Sequence, residues 1–514
     1  MSDRPSLRPQ HLPPRSLHGV AQLLGVEQPA GPDVLVTGVT HDSRQVRPGD
    51  LYVALPGRNV HGGTFVAEAV AAGAVALLTD STAVVAGRGL PVIRVDDPRA
   101  QLGRVAAHIY GEPARGLLML GITGTNGKTT TAHLVESGLR AAGHRAGLIG
   151  TIETRVGDER FASVRTTPEA TELHALLAVM RERGATACVM EVSSHALVLG
   201  RVDGTLYDVA GFTNLSQDHL DFHADLDDYF AAKAALFTPE RSRRGVVVVD
   251  DEYGRRLAAE AQVPVVTVST RQQADWQVTK QEVGHSGSTT ARLERRDGRH
   301  NVVTSPIPGD FNVANAVLAV VMLIEAGVDA ESAARGVAAC SGVPGRMERV
   351  QSTGADEPLA LVDYAHTPDA VENVLRALRA STPGRLVVVV GAGGDRDSHK
   401  RAAMGAAAAR NADLVIVTDD NPRSEDPAGI RAAVLEGARA LADGRAELEE
   451  VGDRRAAVIR AVEATRGGAD TVVVVGKGHE QGQETAGVIH PFDDRVVLRE
   501  ALQRVNDLRD EESR

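Results

Sequence analysis

Short, unbroken apolar runs recur along the chain. Each ends in polar or Gly-rich residues before a helical stretch begins: LLMLGIT (117–123), AGLIGTI (146–152), ACVMEVSS (187–194), VAGFTNL (209–215), GVVVVDD (245–251), PLALVDYAH (358–366), RLVVVVGAG (385–393), DLVIVTDD (413–420) and TVVVVGKG (471–478). Continuous rather than alternating hydrophobicity means that both faces of a strand are covered. That is the mark of a parallel sheet with helices on both sides. Such sheets bind their ligands outside the C-terminal ends of the strands, so the polar residues closing each run are the first candidates for function.

The length of 514 residues gives a prior of about three domains. The runs fall into groups that predict an α/β protein of three units behind a flexible Pro- and Arg-rich tail (1–17): a small α/β domain (18–113), a central parallel-sheet domain (114–347) and a C-terminal Rossmann-like domain (348–514). GEPARG (111–116) reads as a linker, and the polar, alternating stretch 272–308 as an antiparallel addition to the central sheet. No apolar run is long enough to span a membrane, and the first 17 residues lack the apolar stretch of a secretory signal. The net charge of −12 and an aromatic content of 3% disfavour a nucleic-acid partner. Cys188 and Cys340 lie in apolar surroundings and read as buried thiols of a cytoplasmic protein. Only five lysines occur, at 128, 233, 280, 400 and 477, in a chain that otherwise uses arginine; each is a candidate for chemistry that arginine cannot perform.

The sharpest local signal is Gly121-Ile-Thr-Gly-Thr-Asn-Gly-Lys-Thr-Thr130, which follows a strand and opens a helix. Residues Gly124, Thr125, Asn126 and Gly127 can wrap backbone N–H groups around phosphate oxygens, with the helix dipole adding to the attraction. Lys128 can reach the terminal phosphates, and the Thr129 hydroxyl can ligate Mg2+. The spacing is shorter than the usual phosphate loop, because Ile stands at 122 where that pattern has Gly. Glu191, closing the apolar run ACVM (187–190), is placed as a magnesium carboxylate. The His- and Asp-rich stretch 214–223 closes another strand. Lys233, on an Ala-rich helix, reads by itself as a snorkelling surface lysine.

Ten segments then complete the pattern in order: GTNGKTT, EVSSH, NLSQDHLD, YFAAKAALF, GDFNVANAVLA, GVPGRME, DYAHTPDA, GAGGDRD, DNPR and GKGHE. Across about residues 35 to 495 the chain resembles the Mur ligases of peptidoglycan synthesis. The resemblance implies a uridine-nucleotide-binding first domain, an ATP-binding second and an amino-acid-binding third. It also implies a reaction: ATP phosphorylates the free carboxylate of UDP-MurNAc-L-Ala-D-Glu, and the amine of an incoming amino acid displaces the phosphate to form an amide. Bringing a carboxylate to a triphosphate needs fixed cations to offset the repulsion.

By the same resemblance, Thr129 and Glu191 hold one Mg2+. Lys233 becomes a carbamate with CO2 and, with His219, holds a second; this reverses the isolated reading of Lys233. Asn312 and Asn315 match the adenine-contacting segment. Arg346 and Asp363 match ATP contacts made from across an interdomain cleft. Ser43 matches the uridine-site serine, and Thr166, Thr167, Ser193 and Arg201 match contacts to the sugar-peptide. Leu199 stands where a Gln is common, and Asn59–Gly63 lacks a customary acid. In the C-terminal unit Arg396, Asp420, Asn421, Pro422, Arg423, Gly476 and Glu480 match the amino-acid pocket. Asp420-Asn-Pro-Arg423 resembles the signature that selects diaminopimelate, whose carboxylates suit Arg396 and Arg423 and whose ammonium suits Glu480. A monomeric cytoplasmic enzyme is expected. Three readings compete: a diaminopimelate-adding ligase (meso or LL isomer), a lysine-adding or folylpolyglutamate-type relative, and a nucleotide switch that hydrolyses ATP without making an amide.

Overall fold

The computed structural model describes residues 7–57, 59–83, 89–283, 288–351, 357–441 and 446–512. The first unit is a four-stranded parallel sheet in the order Gly38–Thr40, Asp50–Ala54, Ala76–Thr79 and Val92–Arg94. Helices Leu17–Leu24, Val66–Ala71 and Pro98–Ile109 accompany it. Ser16 and Asp97 cap the first and last of these, each accepting first-turn backbone N–H groups that have no intrahelical partner.

The expected flexible tail departs from the structure. Met1–Ser6 lie outside the described residues, but from Arg8 onward the segment is tied down. Arg8 makes a bidentate ion pair with the buried Asp50, at 2.8 and 3.0 Å, and the N–H groups of Gln10 and His11 donate to Glu182 of the central unit. Two charge-assisted forks outweigh the disorder that Pro and Arg composition suggests.

The central unit is an eleven-stranded sheet. Its parallel core runs Ala146–Ile149, Ala187–Glu191, Leu118–Thr123, Val209–Phe212, Gly245–Val248, Val265–Ser269. The hairpin Glu153–Val156 and Glu159–Ala162 extends one edge. At the other edge Trp276–Val283 pairs in parallel with the core, and Thr289–Arg295 and His300–Ser305 follow antiparallel, as the alternation of 272–308 predicted. From Leu118–Thr123 the chain first goes to strands on one side and then returns to the other, so the sheet switches direction at the phosphate-loop strand. Ligands bind at such a point. Alternate residues of that strand enter separate cores: Leu120 and Ile122 join helices Lys128–Ala141 and Asp310–Glu325, while Met119 joins helix Ala170–Glu182.

Among the described residues the main sheet of the C-terminal unit has six strands in the order Glu348–Val350, Leu359–Asp363, Thr471–Val475, Leu386–Val390, Leu414–Val417 and Glu447–Glu450, the first antiparallel and the rest parallel. The four apolar strands were expected. Glu447–Glu450 (ELEE) and the hairpin Gly482–Thr485 with Val488–Pro491 were not. Among the described residues no helix is long and apolar enough to cross a membrane.

Candidate active site

The phosphate loop sits between strand Leu118–Thr123 and helix Lys128–Ala141, and neighbouring segments hold its backbone open. The N–H of Thr125 donates to the Asn214 carbonyl (2.8 Å), that of Asn126 to Asn214 Oδ1 (3.0 Å), and Thr213 Oγ1 to the Asn126 carbonyl (2.6 Å). Gly127 has φ +85°, and a Cβ there would strike Asn315 Oδ1, so this glycine meets both a left-handed backbone and a close approach. Asn315 donates to Asn312 Oδ1 (3.0 Å), and Asn312 donates to the Pro308 carbonyl (2.7 Å). The two asparagines are thus one linked pair beside the loop.

Two lysines converge on a single carbonyl. Lys128 Nζ donates to Gly124 O (2.9 Å) and Thr125 O (2.7 Å), and Lys233 Nζ donates to Gly124 O at 2.8 Å. Lys233 is only 1% exposed and has no carboxylate within 4 Å among the described residues. Burial pushes its amine well below the ordinary lysine range, and the nearby Lys128 ammonium adds to the shift. Burial lowers Lys128 as well, opposed by Glu191 and Asp218. The surface reading of Lys233 is overturned: it is a buried amine held towards its neutral form.

Glu191 is surrounded by hydroxyls. Its Oε2 accepts from Thr129 Oγ1 (2.9 Å) and Thr151 Oγ1 (3.0 Å), its Oε1 accepts from the Thr151 N–H (2.8 Å), and Thr166 Oγ1 lies 3.0 Å from Thr151 Oγ1. Thr167 Oγ1 donates to the Glu191 carbonyl (2.9 Å) and accepts from the Ser193 N–H (3.1 Å), while Ser193 caps helix Ser194–Val198. Thr129, Glu191, Thr166, Thr167 and Ser193 therefore form one cluster at the strand ends. Thr151 belongs to it and was missed; its only sequence signal is its place directly after the run AGLIG. Among the described residues no three His, Cys, Asp or Glu side chains converge as a metal site. The paired Thr129 and Glu191 oxygens are hard donors suited to Mg2+. A site at Lys233 and His219 fits a cation only if the lysine becomes an anion.

Arg346, from the segment entering the C-terminal unit, crosses to this cluster. Its Nη2 donates to Thr129 Oγ1 at 3.1 Å, and its guanidinium lies 4.4 Å from the centre of the Tyr364 ring. Asp363 is buried, and its two oxygens accept the N–H groups of Met347 (2.7 Å) and Ala365 (2.8 Å). Its place is therefore behind Arg346, bracing the neighbouring backbone. Beside them Asp218 gathers side chains from both units: His219 at 3.4 Å and, from the C-terminal unit, Lys400 at 3.5 Å and His366 at 3.8 Å. His219 has a left-handed backbone (φ +56°), and burial, against the pull of Asp218, lowers its imidazole to about 3, so it is neutral at physiological pH. A neutral imidazole is the form that ligates metals.

On the side of the first unit, Ser43 Oγ donates to Glu68 at 3.2 Å. Arg201 pairs with Glu169 at 2.8 Å, and Arg99 of the first unit reaches the same carboxylate at 3.5 Å. Leu199 ends the short helix that Ser193 caps. Near residues 59–63, His61 Nδ1 accepts the Gly63 N–H (2.8 Å), and its Nε2 lies 3.3 Å from Asp80.

The C-terminal cluster assembles at three strand ends. Arg396 and Arg423 flank Gly393: a Cβ there would lie 3.0 Å from Arg423 Nη1 and 3.9 Å from Arg396 Cγ. Arg423 is held by its own donation to Gly394 O (2.6 Å) and by Glu484 (3.5 Å) of the unexpected hairpin, whereas Arg396 is exposed. Pro422 O lies against Gly394, and Gly476 meets the Asp420 carboxylate where no side chain would fit. Asn421 Nδ2 donates to Glu480 Oε2 at 2.8 Å. A cleft of about 970 Å3 also opens between the central and C-terminal units; of the expected residues only Arg346 lines it. Cys340, read as buried, is part-exposed there, while Cys188 is fully buried and its thiol is pushed up to about 12.

Three family models match consecutive parts of the chain: "Mur ligase family, catalytic domain" over 35–110, "Mur ligase middle domain" over 122–323 and "Mur ligase, glutamate ligase domain" over 345–478. The UDP-N-acetylmuramoyl-L-alanyl-D-glutamate--2,6-diaminopimelate ligase of Streptomyces avermitilis is 57% identical over 502 residues, covering 97% of this chain and 98% of its own. The protein of the same name from Corynebacterium glutamicum is 50% identical, covering 95% of each. A solved structure of a ligase of that name aligns with a TM-score of 0.67 at 32% identity, over 96% of this chain and 99% of the other. Mycobacterium tuberculosis folylpolyglutamate synthase, at 20% identity and a TM-score of 0.59, shares the fold alone. Three matched units, a relative similar over nearly the whole length and a phosphate loop answered by a far-domain arginine lead to one conclusion: the chain belongs to the Mur ligase family.

Proposed function

We propose that this ligase uses ATP to join diaminopimelate to the D-Glu carboxylate of UDP-MurNAc-L-Ala-D-Glu, as the names of its relatives describe for them. The observation that carries the reading is the contact of Arg346 with Thr129. It brings the segment that enters the C-terminal unit against the phosphate loop, which supports reading the loop and the pocket built on Asp420-Asn-Pro-Arg423 as parts of one site.

In the proposed reaction Lys128 and Arg346 hold the triphosphate, and Asn312 and Asn315 border the adenine. Ser43 serves the uridine end, while Thr166, Thr167, Ser193 and Arg201 orient the peptide. The D-Glu carboxylate oxygen bonds to the γ-phosphorus as the bond to ADP breaks. The amine of diaminopimelate then bonds to the acyl carbon, inorganic phosphate leaves, and the amine gives up a proton. Closure of the site around Arg346 keeps water from the acyl phosphate. Thr129 and Glu191 would hold one Mg2+, and His219 with Lys233 a second, supplying charge that offsets the meeting of two anions. The lowered amine of Lys233 supports its role, because only a neutral amine adds to CO2 to give a carbamate. Arg396 and Arg423 take the carboxylates of the amino acid, and Glu480 takes its ammonium. A cytoplasmic enzyme working as a monomer belongs to the same reading.

The test is phosphate release and amide formation with ATP and the sugar-dipeptide, offered separately with meso-diaminopimelate, LL-diaminopimelate and L-lysine. Turnover only with a diaminopimelate isomer is expected. Preference for lysine, or ATP hydrolysis without any acceptor, would overturn the assignment.

A further inference from the structure

Four of the five scarce lysines are withdrawn from the surface. Lys233, Lys400 and Lys477 are buried, Lys128 lies within the phosphate loop, and only Lys280 is exposed, beside Glu282. Lys233 and Lys128 belong to the loop, and Lys400 reaches Asp218. Lys477 remains. It closes the strand Thr471–Val475 one residue after Gly476 and is completely buried.

We infer that Lys477 is a positioning residue that shapes the ammonium-binding half of the amino-acid pocket. Its Nζ donates to Asn421 Oδ1 at 2.8 Å and to Glu480 Oε2 at 3.1 Å, with Asp420 Oδ1 at 3.9 Å. Asn421 completes the triangle by donating to the same Glu480 oxygen at 2.8 Å. One oxygen of Glu480 is thus doubly held, while Oε1 has no hydrogen bond among the described residues and remains for a ligand. The other buried cation nearby, Arg454, directs its hydrogen bonds to Asp494 and to the Val475 and Asp419 carbonyls, so its charge acts on Asp420 and Glu480 only through space, and of the two buried cations Lys477 alone hydrogen-bonds Glu480. The site suits lysine because a compact ammonium directs separate N–H groups at two acceptors, where a planar guanidinium would need more room. The inference rests on the proposal that this pocket takes diaminopimelate, and it adds the group that holds the selecting carboxylate in place.

The experiment compares wild type, Lys477→Met, Glu480→Gln and the double variant, with KM measured for diaminopimelate, ATP and sugar-dipeptide. 2-Aminopimelate, which keeps both carboxylates but has one ammonium, serves as a competing acceptor. In Lys477→Met the KM for diaminopimelate should rise about 10- to 100-fold, the loss expected when a charge-assisted contact is no longer oriented, and the preference over 2-aminopimelate should narrow. The other two KM values should stay within about threefold, since no contact to those substrates changes. A rise in all three together would mark a general structural role and overturn the inference. If Lys477→Met does not fold, the double variant decides, because it removes both members of the hydrogen-bonded Lys477–Glu480 pair and leaves Asp420 in the field of the buried Arg454. Equality of the double variant with Glu480→Gln alone supports action through Glu480, and a further loss overturns it. A wild type that does not use diaminopimelate overturns the function proposal itself, whereas an active wild type with an unaltered Lys477→Met overturns only the role of Lys477.

Discussion

At Lys233 the environment, rather than the residue type, decides the chemistry. On an Ala-rich helix a lysine ordinarily threads its stem to solvent, but here the helix Leu226–Ala234 faces inward and Nζ ends on Gly124 O. Replacing it with Ala should cost about 100- to 1000-fold in turnover, the size of effect seen when one preorganised charge-stabilising group is lost. Lys233→Arg should be no better, because a guanidinium stays cationic and forms no carbamate. Bicarbonate or a short carboxylate should restore part of the Ala variant's activity and none of the Arg variant's. Turnover assays with melting curves in parallel check this, and full activity in Lys233→Arg would remove the carbamate from the mechanism. Residue type alone could not reveal this burial; only the ordered motifs around the helix pointed to it. Asp363 shows the opposite limit. The motif match put it on ATP, while its hydrogen bonds put it on the backbone of Met347 and Ala365.

Elements were legible where burial on both faces left an apolar run, and illegible where one face or an edge is wet. Strand Leu386–Val390 (LVVVV) announces itself because both of its sides enter cores. Glu447–Glu450 does not, because it is the edge of the same sheet and its acids point to solvent and to Arg431, Arg460 and Arg385. The hairpin Gly482–Thr485 with Val488–Pro491 lies outside the main sheet and carries no core pattern, yet it supplies Glu484 to Arg423. Thr151 was unreadable for a related reason. A lone threonine after a strand is common, and its role comes only from register: the strands Ala146–Ile149 and Ala187–Glu191 pair directly and bring their ends together.

Across the whole molecule, buried histidines give stability a pH slope. His174 is fully buried and lowered to about 4 by burial, and His133 is lowered to about 3 by burial with Arg155 and Arg346 adding to it. Both sit in the central unit, on helices Ala170–Glu182 and Lys128–Ala141. The unfolded chain takes up their protons below about 6.5 and the folded chain does not, so their contribution is complete above that pH. It is lost as pH falls, until about 4 for His174 and about 3 for His133. Each such group costs about 1.4 kcal/mol per pH unit in that window, so going from about pH 7.5 to 5.5 should remove about 2–3 kcal/mol and several degrees of Tm through these two rings. His219 and His479, both lowered to about 3 chiefly by burial, add in the same direction. Melting curves across this range check the slope, and His174→Gln should lessen it. A Tm independent of pH would show that these rings do not stay neutral.

The contact between Arg346 and Thr129 has a kinetic counterpart. The hydroxyl that would meet the nucleotide's metal accepts a hydrogen bond from an arginine of the opposite domain, so the same arginine proposed to hold the triphosphate must first move off Thr129 for the nucleotide to enter and then close onto its phosphates. Loading then has to wait for the arginine to withdraw. Its rate should climb with ATP concentration at first and level off at the rate of domain separation. Stopped-flow mixing with a fluorescent ATP analogue reads this directly. A plateau that rises in Arg346→Ala would identify the arginine as the gatekeeper, and a linear dependence to high concentration would show that the site stands open without it.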